Sequence, residues 1–206
     1  MDETVSVPIR GPQDPPPSLA ALLLTGGSSR RMGRDKSQLL YQGQNLAQRT
    51  AHLLKTVVER ALEVGPGVSG LVAVHEALPG RGPLAAIVEG RRALERDGHR
   101  GPVLVVACDM PMLTRELLHF LATFATTGSA VPVVDGFAQP LCAKWGVADL
   151  EQASDLLARG ERSVEFLTRA VDVRLIDEFE WSAYATSANF RDVDTPEDAR
   201  RLGIEI

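Results

Sequence analysis

Two apolar runs, LAALLL at residues 19–24 and PVLVV at 102–106, constrain the fold more than anything else in the chain. Each has strand length, neither alternates with polar residues, and each stops at a chemical signal. The first gives way to two glycines and the second to Cys108, Asp109 and a proline. Strands apolar on both faces belong inside a parallel sheet, which must be covered by helices on both sides. The intervening segments supply those helices. NLAQRTAHLLKTVVERA at 45–61 repeats its apolar residues at three and four, PLAAIVEGRRALER at 83–96 opens on a first-turn proline, and TRELLHFLATFATT follows with Thr114 as N-cap.

RALEV at 60–64, closed by GPG, and LVAV at 71–74 read as two further short strands. Strand and helix alternating in this rhythm imply right-handed crossovers, hence a single-domain, three-layer α/β/α fold with a mostly parallel sheet. Beyond Ala130 the rhythm loosens: AVPVV and PLCAKW pair hairpin-fashion around DGFAQ, helices follow at 147–158 and 163–170, VDVRLI is a strand, and TPEDARRL is a helix capped by Thr195. Residues 1–17, acidic and carrying PPP, are expected to be a disordered leader to a domain spanning 18–206.

With 206 residues, 44% hydrophobic and 24% charged, the chain suits one globular domain. Its net charge of −5 and 5% aromatic content argue against a nucleic-acid partner, which needs many cations or stacking rings. No apolar stretch has the length of a membrane span or a secretory signal. Cys108 and Cys142 belong to no CxxC or Cys/His cluster, so reduced thiols in a cytoplasmic protein are expected, with Cys108 a buried strand residue. His52, His75, His99 and His119 share no metal-ligand spacing, and Arg91, Arg92 and Arg96 are expected to form a solvated basic helix side.

In an open parallel sheet the ligand lies outside the carboxyl ends of the strands, so TGGSSRRMGRDK after Leu24 and DMP after Cys108 should face one crevice. The loop is not a Walker loop: five residues lie between Gly27 and Gly33 and Lys36 comes three after Gly33. The dinucleotide pattern GxGxxG is missing too. What remains is a longer, basic loop in which Gly26 and Gly27 let backbone amides approach an anion while Arg31 and Lys36 bring charge. Asp109 ends the neighbouring central strand, where a carboxylate plus phosphate oxygens can hold Mg²⁺. Together they form a two-sided clamp for a triphosphate.

The run LLTGGSSRRMGRDK resembles the LAGGxSxRMGxDK signature of the molybdenum cofactor guanylyltransferases, nucleotidyltransferases of nucleotide-diphospho-sugar transferase fold. The resemblance continues through GPLAAI at 82–87, CDMP at 108–111, QPL at 139–141, GERS at 160–163 and DTPED at 194–198. It implies transfer of GMP from GTP to molybdopterin with release of pyrophosphate, with Mg²⁺ as cofactor. A molybdoenzyme or cofactor-delivery protein would be the partner. By the same resemblance Leu24, Thr25 and Gly26 contact the guanine nucleotide, Lys36 and Arg31 its phosphates, and Asp109 the metal. Glu76 matches the acid that precedes GPLAG, and Gly65 stands where some relatives carry a base-contacting Asn. Asp194, and behind it Asp192, fall where related enzymes place a second metal-binding Asp, and Arg162 lies in the second-substrate region. The rival readings are a cytidylyltransferase or a transferase to another phosphorylated acceptor, and a nucleotide-binding module without catalysis. GG followed by DK favours guanine by resemblance.

Overall fold

A computed structural model describes residues 18–26, 36–76 and 80–205. The expected leader at 1–17 lies outside them, as do Gly27 and Arg31. The strands are β1 (Ala20–Leu24), β2 (Leu40–Tyr41), β3 (Gln44–Asn45), β4 (Arg60–Val64), β5 (Val72–Val74), β6 (Val103–Ala107), β7 (Ala130–Val134), β8 (Phe137–Ala138), β9 (Cys142–Trp145) and β10 (Arg174–Ile176). The α-helices are α1 (Leu46–Lys55), α2 (Pro83–Arg96), α3 (Arg115–Thr123), α4 (Val147–Ala158), α5 (Val164–Ala170), α6 (Glu178–Trp181) and α7 (Pro196–Leu202).

The main sheet runs β10-β7-β9-β6-β1-β4-β5, with β8 paired to β7. β1 lies between β4 and β6, parallel to both, and all five of its residues are buried. Its side chains alternate between two cores. Ala20, Leu22 and Leu24 pack with Leu84, Ile87 and Leu94 of α2 and Leu150 of α4, while Ala21 and Leu23 pack with Leu54 of α1 and Leu117 and Leu121 of α3. This double burial explains the uninterrupted apolar run and makes the molecule three-layered, as expected.

β9 is the reversed strand. It pairs antiparallel with β6 and, at Ala130↔Lys144, with β7, whereas the tight hairpin joins β7 to β8. AVPVV and PLCAKW are therefore neighbours, and the second of them also reaches across to β6. Helix α1 ends at Lys55, earlier than its periodicity suggested, because Val57 and Val58 are β-branched and the chain must extend into β4 at Arg60. Thr114, Ser163 and Thr195 cap α3, α5 and α7 through their hydroxyls.

Arg91 departs from the expected solvated helix side. It is buried, its Nε donating to Glu95 Oε1 at 2.8 Å and its guanidinium to the Gly101 carbonyl at 2.7 Å, so α2 uses it to hold the turn that leads into β6. Arg92, one position on, is exposed.

Candidate active site

The carboxyl ends of β6, β1, β4 and β5 stand side by side, and each leads straight into a residue of interest: Cys108–Asp109, Thr25–Gly26, Gly65 and His75–Glu76. A cavity of about 300 Å³ opens over them, closed on one side by Gly80, Gly82 and Pro83 at the start of α2. Leu24, Thr25, Gly26, Lys36, Glu76 and Asp109, all singled out in the sequence, line this one cavity.

On its β6 side lies the charged group. Lys36, in the short 3-10 turn Lys36–Gln38, donates its ammonium to Asp194 and approaches Asp109 Oδ2 at 3.4 Å. Asp109, Asp192 and Asp194 each offer a carboxylate oxygen within 4.8 Å of the others. Three hard oxygen donors converging at the edge of the cavity suit Mg²⁺, which takes oxygen ligands from one or two carboxylates, phosphate and water. The electrostatics agree. Removal from water pushes the Asp109 carboxyl up, Lys36 pulls against that and Asp192 adds to the push, leaving a net rise. Burial alone would lower the Lys36 ammonium, but the Asp194 hydrogen bond and the two negative charges outweigh it and hold the proton more tightly than usual.

The loop after Asp109 is pinned from several directions. Val193 N–H donates to the Asp109 carbonyl at 2.9 Å, Arg49 Nε to the Pro111 carbonyl at 2.9 Å and Asn189 Nδ2 to the Met112 carbonyl at 2.6 Å. Arg49 also lies 5.3 Å from the centre of the Tyr41 ring, a cation–π geometry. Neither Arg49 nor Asn189 stands out in the sequence, because each acts on a loop more than sixty residues away.

On the β4–β5 side the cavity is walled by Gly26 and Glu76. A Cβ added at Gly26 would come within 2.7 Å of Glu76 Oε2, so a larger residue there would displace that carboxylate. Burial, with help from Glu89, pushes the Glu76 carboxyl up. Thr25 turns its hydroxyl inward to Glu63 Oε1 at 2.6 Å, which leaves main chain as its contribution to the cavity. Gly26 N–H points to the Val64 carbonyl at 3.4 Å. Arg162 is exposed, and its carbonyl accepts from Leu84 N–H at 3.2 Å, which brings the GERS segment to the start of α2. Burial pushes the Cys142 thiol up to about 12, the opposite of an activated nucleophile.

A model of the MobA-like NTP transferase domain matches residues 21–173, a stretch that contains both strand ends and the cavity between them. The chain belongs to this family. It is a nucleotidyltransferase by that membership, as a probable molybdenum cofactor guanylyltransferase of Opitutus terrae, 35% identical over 75% of this chain and 79% of that protein, also indicates. A protein of the same description from Mycobacterium tuberculosis is 35% identical over 75% of this chain and 81% of its own length. Among solved structures, molybdopterin-guanine dinucleotide biosynthesis protein A from Archaeoglobus fulgidus has a TM-score of 0.74 at 21% identity, covering 89% of this chain and 96% of that one. A 2-C-methyl-D-erythritol 4-phosphate cytidylyltransferase from Thermus thermophilus reaches 0.61 at 18% identity over 89% and 96%. These structural likenesses establish the nucleotide-diphospho-sugar transferase-like fold of the family member described here. Among its described residues no helix is long and apolar enough to cross a membrane.

Proposed function

We propose that the protein is a Mg²⁺-dependent guanylyltransferase that joins GMP from GTP to the terminal phosphate of molybdopterin in the cytoplasm. The observation that carries this reading is the meeting of Lys36 with Asp109 and Asp194 at one end of the cavity that Thr25, Gly26 and Glu76 bound at the other. The choice of GTP and molybdopterin is supported by the names of the Opitutus and Mycobacterium relatives.

A phosphate oxygen of the acceptor attacks the α-phosphorus, a P–O bond forms, the bond from the α-phosphorus to the bridging oxygen breaks, and pyrophosphate leaves with the electron pair. An acceptor phosphate is already ionised, so alignment and charge neutralisation carry most of the catalysis. Lys36 would neutralise the departing phosphates, with Arg31 and the Gly27 amide of the same loop assigned to the triphosphate. Asp109, joined by Asp194 and Asp192, would hold Mg²⁺, which supplies further neutralisation of phosphate oxygens. Leu24, Thr25, Gly26 and Glu76 take the nucleoside. Release of pyrophosphate from GTP, but not from CTP, in the presence of Mg²⁺ and molybdopterin is the expected result. Equal release from CTP, or none from GTP with any phosphorylated acceptor, would overturn it in favour of a cytidylyltransferase or a binding module.

A further inference from the structure

Glu63 is an acid in the middle of a buried parallel strand, with 0% of its surface exposed. An ionised carboxylate in that position is costly unless every oxygen is met by donors. Here they are met. Oε1 accepts from Thr25 Oγ1 at 2.6 Å, Gly67 N at 2.8 Å and Val68 N at 3.0 Å, and Oε2 accepts from Ser69 N at 2.8 Å. Burial pushes this carboxyl up, yet the bonds from Ser69, Thr25 and Val68 more than offset that, and it is held below the ordinary carboxylate range. Three successive amides wrapped on one anion form a nest, and the segment so folded is the one that follows β4.

The position of that segment gives the contact its meaning. Strands in a sheet lie about 4.8 Å apart, so the end of β4 is about 10 Å from the end of β6. A triphosphate gripped at Lys36 and Asp109 must lay its nucleoside toward β4 and β5. Gly65 begins the Glu63-folded segment, donates its N–H to the Val74 carbonyl at 3.0 Å and accepts from His75 Nδ1 at 3.0 Å. Its Cα would lie 3.9 Å from a Cβ placed on Gly26, so the segment abuts the cavity wall. The backbone in it suits such a wrap: Gly65, Gly67 and Gly70 all have positive φ, which glycine adopts without strain but at a cost in conformational freedom that the carboxylate bonds help offset.

We propose that Glu63 is a positioning residue for nucleoside recognition: its carboxylate fastens residues 67–69 to Thr25 and so builds the main-chain wall that receives the base, without touching the phosphates. The inference rests on the nucleotidyltransferase reading of the cavity. Glu63→Gln is the direct test, because whichever way the amide turns, its NH₂ faces a backbone or hydroxyl donor. Affinity for GTP and for inorganic tripolyphosphate is measured on wild type and variant, together with kcat and KM.

The expected result is a GTP affinity at least tenfold weaker and a KM raised to match, with kcat within about threefold and tripolyphosphate affinity within twofold of wild type. GTP affinity within twofold of wild type, or an equal loss for tripolyphosphate, would overturn it, since a merely structural role moves both ligands together. Should Glu63→Gln not fold, Glu63→Asp keeps the charge but is one methylene too short to reach both Thr25 and the amides of residues 67–69. A threefold or greater loss for GTP with tripolyphosphate unchanged supports the role, and no loss overturns it. Failure of the guanylyl reading looks different: wild type then binds CTP as tightly as GTP, and the Glu63 effect is read on whichever triphosphate binds.

Discussion

Two carboxylates, Glu63 on β4 and Asp109 after β6, sit two strands apart at the same end of the sheet and live in opposite conditions. Glu63 is fully enclosed and saturated by its own chain, with four donors on two oxygens. Asp109 is about a quarter exposed, faces Asp192 and Asp194, and has one cation at 3.4 Å. One carboxyl is accordingly lowered and the other raised. The difference separates a charge enclosed by the protein's own backbone from a partly exposed charge at the cavity, and it predicts which substitution damages stability and which damages turnover.

The largest effect belongs to the phosphate side. Asp109→Asn should lower kcat by at least a hundredfold in a pyrophosphate-release assay while the variant melts no lower than wild type. An unchanged rate would break the contrast from the functional side. Lys36→Ala is expected to cost turnover on a similar scale, with normal activity contradicting the clamp. Asp194→Asn should cost about tenfold and shift the magnesium dependence to higher concentration, and no change in either would remove Asp194 from the ligand set.

Smaller effects test the structural side. A carboxyl lowered by folding contributes stability at pH values above its unfolded range and loses it as pH falls through that range toward the folded value. Glu63→Gln should therefore be about 1–3 kcal/mol less stable than wild type near neutral pH, with the gap shrinking as the solution is acidified below about pH 4. Denaturant titrations at several pH values would show it, and a gap that stays constant or widens in acid would contradict the assignment. Least of all, Arg91→Met should cost about 1 kcal/mol by leaving the Gly101 carbonyl without its donor, read as a lower melting temperature with unaltered kinetics.

Much of this was legible in the sequence where local rules and tertiary packing agree. Pro83 at N1 and the apolar spacing behind it mark α2 over the residues it occupies, and Thr114 caps α3 as its chemistry suggests. Leu24, Lys36 and Asp109 could be brought together because a parallel sheet forces the ends of its strands to one side. Glu63 could have been found by its own anomaly, an acid inside RALEV just before a glycine loop, but its partners Thr25 and Ser69 become neighbours through β1–β4 pairing and loop closure. Arg49 and Asn189 carry no local signal at all. The burial of Arg91 likewise depends on a turn ten residues away that no helical wheel contains.

The central claim, that Asp109 and Lys36 serve one phosphate-binding cavity, is tested most directly by Mn²⁺ binding followed by electron paramagnetic resonance with a non-hydrolysable GTP analogue. Wild type should take up about one nucleotide-dependent Mn²⁺ per chain, and Asp109→Asn should lose it while still folding. Mn²⁺ uptake by Asp109→Asn equal to that of wild type, in both amount and nucleotide dependence, would contradict the account.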